Sequence, residues 1–190
     1  MMHPTQAQEN MPEDQSMSKA VIEMITVANE YCLFFEKAAQ YKRQDILAYF
    51  QKVAPLLYLK GAMLPAVEVT DPGAAERFVT EEQWESIFKA LREQFQEVDV
   101  YHIHDHNHDS VEASLADNMA DIYQDMKDFV MLYQKNTTPA RQSAVAQLRD
   151  LFGWRWGPVT VSALGAVHQI LYRDAINPDV LDEDAGWLID

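Results

Sequence analysis

"TEEQWESIFKALREQF" occupies residues 80–95 and reads as a helix that carries its own start signal. Thr80 can accept a hydrogen bond from the Gln83 amide while the Gln83 side chain reaches back, the reciprocal pattern of a capping box. Behind it Trp84, Ile87, Phe88, Leu91 and Phe95 recur at spacings of three and four, which places them on one face of a 3.6-residue helix. The same period appears on both sides of this stretch. Val21, Met24, Ile25, Ala28, Cys32, Phe35 and Ala39 share a face of a first helix opened by Ser18. Ile46, Phe50, Val53 and Leu57 line a second helix over about 43–62, with Pro55 removing one backbone bond and predicting a kink. "LPAVEVTDPGAAERFV" (64–79) carries two prolines and a glycine and reads as a surface crossover.

Downstream, "DSVE" (109–112) repeats the capping pattern and predicts the start of the longest helix, ending near Lys135. Pro139 is preset for the first turn of a further helix, which should stop near "GWRWGP" (153–158). Pro158 opens the last one, through about Arg173, and its Ala163, Gly165 and Ala166 would admit a close neighbour. Neither a repeat nor a run of strands is legible. The sequence therefore predicts an all-α, single-domain helical bundle of about six helices over 18–175, with a disordered N-terminal arm at 1–17 and an acidic C-terminal tail at 176–190.

A chain of 190 residues, 48% of them hydrophobic, can bury one sizeable core. Thirty acidic side chains against 15 basic ones give a formal net charge of −15, which repels nucleic-acid phosphates and anionic membrane surfaces. A basic protein partner is the class of partner this charge favours; nucleic acid and membrane are not expected. Cys32 is the single cysteine, so no intramolecular disulfide can form. The opening residues lack the basic start and apolar run of a signal peptide, and no stretch stays apolar for the roughly 20 residues of a membrane span. A soluble, cytoplasmic protein is expected, its oligomeric state left open.

Three constellations could carry chemistry. Asp117, Asp121, Asp125 and Asp128 are spaced four, four and three, so they form one stripe on the long helix. Leu115, Met119, Ile122, Met126 and Phe129 centre on an arc roughly 130° away, so packing that face predicts that the acids turn outward, as a partner-binding stripe. The alternative is a metal-dependent hydrolase in which Asp117, Asp121 and Asp125 hold Mg²⁺ and His168 acts as acid or base. The first helix offers Glu23, Glu30 and Glu36 without the Glu-x-x-Glu spacing of a Mg²⁺ clamp, so the enzyme reading is disfavoured and no cofactor is expected. A second constellation is a pocket around Trp154, Trp156 and His168. His168 shares an arc with Val161, Leu164, Leu171 and Tyr172 and is expected to be a core or semi-buried residue.

The third is "YHIHDHNHDS" (101–110). Extended, it would project His102, His104, His106 and His108 to one side at intervals of about 6.6 Å; helical, it would form two separate pairs. Neither geometry is a zinc signature, so the tract is expected to be a solvated loop with weak divalent transition metal binding, a second alternative function for the chain. Because neutral imidazole is the ligand, such binding should fail on acidification. The favoured reading is a noncatalytic interaction or regulatory protein.

Three stretches resemble the bacterial family known as domain of unknown function 5063. They are "LLYLKGAMLP" (56–65), "SLADNMADIYQDMKDF" (114–129) and "WGPVTVSALGAVH" (156–168). The similarity covers most of 18–175. It implies a helical fold and brings no activity with it. Asn118 stands where the family pattern has the second of two aspartates, and the family's corresponding loop is not histidine-rich, so a metal role for the tract would be particular to this chain.

Overall fold

The computed structural model describes residues 14–104 and 107–173. Six α-helices form a bundle: α1 (Lys19–Phe35), α2 (Arg43–Ala62), α3 (Glu81–Phe95), α4 (Leu115–Tyr133), α5 (Thr138–Leu151) and α6 (Gly157–Leu171). The mostly helical single domain expected from the periodicity is what the chain adopts. α1 buries Val21, Met24, Ala28, Cys32 and Phe35, the face read from the sequence. α2 runs through Pro55. The Thr80–Gln83 capping box is formed in both directions. Cys32 lies in the core, and burial pushes its thiol up to about 12, which removes it as a nucleophile.

α4 is the central helix. It packs against α1, α3, α5 and α6, and none of residues 115–130 is fully exposed. A helix surrounded this way keeps only a narrow, half-buried strip toward solvent, which limits where its aspartates can point.

Four departures from the sequence reading have local causes. A two-stranded antiparallel hairpin, β1 (Val100–His104) and β2 (Ser110–Ser114), precedes α4, pairing His102 with Glu112 and His104 with Ser110. Its alternation is present, with Val100, His102 and His104 exposed and Tyr101 and Ile103 half-buried. The histidines hide that pattern from an apolar/polar reading. α4 consequently starts at Leu115, not Asp109, because residues 110–114 give their backbone to the ladder. Ser114 takes over as N-cap, accepting from the Asp117 amide at 3.1 Å.

The third departure is between α5 and α6. In place of a stop near "GWRWGP", residues Phe152–Trp156 form a π-helical turn that joins the two helices with every intervening residue in helical conformation. Pro158 supplies a reason: it has no amide to donate and its ring crowds the carbonyl four residues back, at Trp154, so the turn widens. Gly157 is required beside it, since a Cβ there would lie 2.2 Å from the Phe152 carbonyl oxygen. Gly61 is required on α2 for a related reason, its hypothetical Cβ falling 2.2 Å from the Trp156 ring.

Finally, Gln15–Met17 form a short 3₁₀ helix with Ser16 buried and its carbonyl accepting from the Tyr133 hydroxyl at 2.9 Å. Residues 15–17, expected to belong to the arm, are thus ordered and joined to α4. Residues 1–13, and the tail expected at 176–190, lie outside the described residues. Among those described, no helix is long and apolar enough to cross a membrane.

Candidate functional site

The acidic stripe of α4 is turned partly inward: Asp125 and Asp128 are withdrawn from solvent, while Asp117 and Asp121 are half-buried. Asp128 accepts from the Phe78 and Val79 amides at 2.7 and 2.9 Å, fastening the end of the crossover to α4, with Arg77 Nη1 3.7 Å from its other oxygen. Asp121 accepts from Trp84 Nε1 of α3 at 3.0 Å. Asp125 is only 2% exposed, and its partner is Arg155 of the π-turn, whose Nε stands 3.2 Å from Oδ2. That contact is an ion pair without hydrogen-bond geometry; neither Asp125 oxygen makes a hydrogen bond in the structure. Arg155 also lies 3.7 Å from Asp121 and donates to the Gln124 side chain at 2.9 Å. It thus binds anionic groups of its own chain.

Burial is the largest influence on Asp125 and pushes its carboxyl up to about 6; Arg155 and Arg77 pull it down, and Asp121 and Asp128 push it up. Asp117, half-buried, is raised by burial first and then by Asp121 and Asp99. Asp125 and Asp128 border a cavity of about 20 Å³ that also touches Arg77 and Gln147. A void of this size holds about one water, not a substrate.

The outward direction expected for these acids fails because the apolar-arc argument assumed one packing face. α4 has four helical neighbours, and its buried positions spread over roughly 240° at 100° per residue, reaching the stripe.

The expected tryptophan–histidine pocket also comes apart. Trp156 is 1% exposed and donates to the Leu148 carbonyl at 3.0 Å, whereas Trp154 is 66% exposed. His168 is exposed, its ring 4.7 Å from that of Tyr172, because α6 buries Thr160, Ala163, Ala166 and Val167 instead. No hydrogen bond or ion pair joins His168 to the acidic stripe among the described residues, so the constellation required of a hydrolase is not assembled.

His102 and His104 share the exposed face of β1, as an extended tract requires, and His102 Nε2 lies 4.0 Å from Glu112 Oε1 across the hairpin. His108 sits in the connection with φ 65°, and His106 lies outside the described residues. Among the described residues no three His, Cys, Asp or Glu side chains converge as a metal site.

Asp99 was not singled out by the sequence. It is fully buried, accepting from the Ala116 amide and the Ser114 hydroxyl at 2.8 Å each, with Arg92 Nη1 at 3.2 Å. Its carbonyl accepts from the Leu115 amide at 2.9 Å. One residue thereby caps α4 and ties it to α3 and the hairpin. No local motif announces it, because its partners are up to 17 positions away.

Fold and site together define a six-helix domain built around an acidic central helix whose carboxylates are held by arginines, an indole and backbone amides. Residues 15–173 match the family described as "Domain of unknown function (DUF5063)", and the chain belongs to that family. It is similar to a solved structure, protein BF1032 from Bacteroides fragilis, with 34% identity and a TM-score of 0.75 over 82% of this chain and 94% of that one. No curated protein matches. The three stretches that carry the family resemblance meet at the π-turn: Trp156 packs on Gly61, and Arg155 reaches Asp121, Gln124 and Asp125.

Proposed function

We propose that this chain is a noncatalytic interaction or regulatory protein whose acidic exterior engages a basic protein partner in the cytoplasm. The observation that supports this reading is the engagement of the α4 carboxylates by Arg155, Arg77, Trp84 and the 78–79 amides, beside a void for one water. Asp121, Asp125 and Asp128 are thereby tied to neighbouring elements, and the void beside Asp125 and Asp128 is too small for a substrate. The remaining acids, among them Glu81, Glu82, Glu85 and Glu93 on exposed positions of α3, act through the overall charge of −15, which steers cationic surfaces and repels nucleic acid. Affinity capture of the full chain at low and high salt tests it. A stoichiometric basic protein, released as ionic strength rises, is the expected result; Mg²⁺-dependent hydrolysis lost in Asp121→Asn would overturn it.

A second reading rests on His102 and His104 sharing one face beside Glu112. Imidazoles so placed capture Zn²⁺, Cu²⁺ or Ni²⁺ weakly, the exposed hairpin lacking a third fixed ligand among the described residues. Metal content of untagged protein purified without added metal is the measurement; about one tightly held equivalent of zinc would replace weak binding by a true site.

A further inference from the structure

Three buried carboxylate oxygens on α4 receive no hydrogen bond: both oxygens of Asp125 and Oδ2 of Asp128. Such atoms are costly in a folded interior unless a donor reaches them. The two residues are three apart on the helix, which sets their Cβ atoms about 5–6 Å from each other on one face. Both border the cavity of about 20 Å³, and the Asp125 side chain is completely buried.

The surrounding groups do not supply that donor. Arg155 of the π-turn stands beside Asp125 without hydrogen-bond geometry and directs its donated bond to Gln124. Arg77 of the crossover stays 3.7 Å from Asp128 Oδ2, and Glu76 next to it is paired with Lys135. α5 brings no charge to the cavity, and its Gln147 donates to Ser143 at 3.0 Å. α3 presents Trp84 to Asp121, α6 carries no ionisable side chain except the exposed His168, and the Glu36–Lys127 pair toward α1 lies about 160° around α4 from Asp125. Three carboxylates, Asp121, Asp125 and Asp128, thus share two guanidiniums, Arg77 and Arg155. One added proton supplies both the missing donor and the missing positive charge.

We propose that Asp125 and Asp128 share one proton across this cavity and form a pH-sensitive clasp between the crossover and the π-turn. Protonated Asp125 is the donor and Asp128 Oδ2 the acceptor, and the cavity has room for the one water that spans the gap. Asp128 holds the Phe78 and Val79 amides through its other oxygen while Asp125 faces Arg155, so a single proton ties the two junctions together. Burial, which pushes the Asp125 carboxyl up to about 6, agrees with retention of this proton above the ordinary 3.8. As pH rises through that value the proton leaves, the two carboxylates repel, and the crossover and the π-turn are no longer joined through α4. The clasp is internal and independent of the acidic exterior invoked above.

Carbon-13 NMR of the full chain labelled at aspartate Cγ, followed as pH is raised from the acid range to the alkaline side of neutrality, tests this. The Cγ resonances of residues 125 and 128, assigned by their loss in Asp125→Asn and Asp128→Asn, should both step at one midpoint near 6. Asn at 128 keeps an oxygen for the two amides but removes the charge, so in that variant the Asp125 midpoint should fall by about one unit or more. Separate midpoints for the two residues in the unaltered protein overturn the proposal, even where Asp128→Asn does not fold. A midpoint for Asp125 that Asp128→Asn leaves in place assigns the effect to burial of Asp125 alone and overturns it as well.

Discussion

The acidic stripe of α4 and the histidine tract of the hairpin were the two chemically loudest stretches of the sequence, and they ended in opposite environments. Three of the four aspartates that looked solvated, Asp121, Asp125 and Asp128, are drawn into contacts between α4 and its neighbours, Asp125 at 2% exposure. The histidines that invited a metal are, where described, on an outer face with one distant carboxylate opposite. The difference lies in what surrounds each element. A central helix commits even its polar side chains to neighbours, and each must then be satisfied or be costly; a hairpin at the edge of a bundle leaves its side chains to water.

Breaking the buried half of the comparison should have the largest effect. Arg155→Ala leaves Asp125 buried without its cationic partner, and loss of one member of such a pair costs about 3–5 kcal/mol. Urea unfolding should show it, and a loss below about 1 kcal/mol would mean that Arg155 merely decorates the surface.

Asp125→Asn should go the other way. The folded carboxyl titrates near 6, above its ordinary 3.8, so ionised Asp125 destabilises the fold. That penalty is absent below about pH 4, grows between about 4 and 6, and is full above. At 1.36 kcal/mol per unit it reaches at most about 3 kcal/mol near neutrality. Stability of the Asn variant measured from pH 4 to pH 8 should exceed that of the unaltered protein at the upper end and converge with it at the lower. A variant less stable at pH 8 would show that the Arg155 attraction outweighs burial.

Asp99→Ala should cost about 2 kcal/mol, because it removes the cap of α4 and leaves a buried amide unsatisfied. Thermal unfolding would register this, and hydrogen exchange should locate the loosening at residues 114–117. The smallest effect belongs to the exposed region. His102, His104, His106 and His108 changed together to Gln should move stability by no more than about 0.5 kcal/mol while abolishing weak transition-metal binding seen by titration calorimetry. A large loss of stability would contradict the picture of a hairpin face open to water.

What could be read in advance was whatever is decided locally. The Thr80–Gln83 box involves residues three apart, and the buried face of α1 follows from one period, so both were legible and both are present. Chemistry that joins distant residues was not. Arg155 meets Gln124 across 31 positions and Asp128 meets Phe78 across 50, and no spacing rule records such partners. The direction of the acidic stripe depended on how many helices surround α4, a tertiary fact that a single helical wheel does not contain. The hairpin escaped notice because His102 and His104 occupy the outward positions of β1 in a run that also contains aspartate and asparagine, so it reads as a polar loop.

The π-turn at Phe152–Trp156 works as a phase setter for everything after it. Closing each bond across five residues instead of four takes in about one extra residue, which sets back the angular position of the following helix by roughly 100° relative to uninterrupted α-helix. The side of α6 that presents Thr160, Ala163 and Val167 to the bundle is therefore selected by that one added residue and not by α6's own composition. Deleting a single residue inside 152–156 would leave both helices chemically intact yet roll α6 by more than a quarter turn, carrying Val161 and Leu164 out of line with α2. In this fold the length of one short turn, counted in whole residues, assigns inside and outside to the last helix.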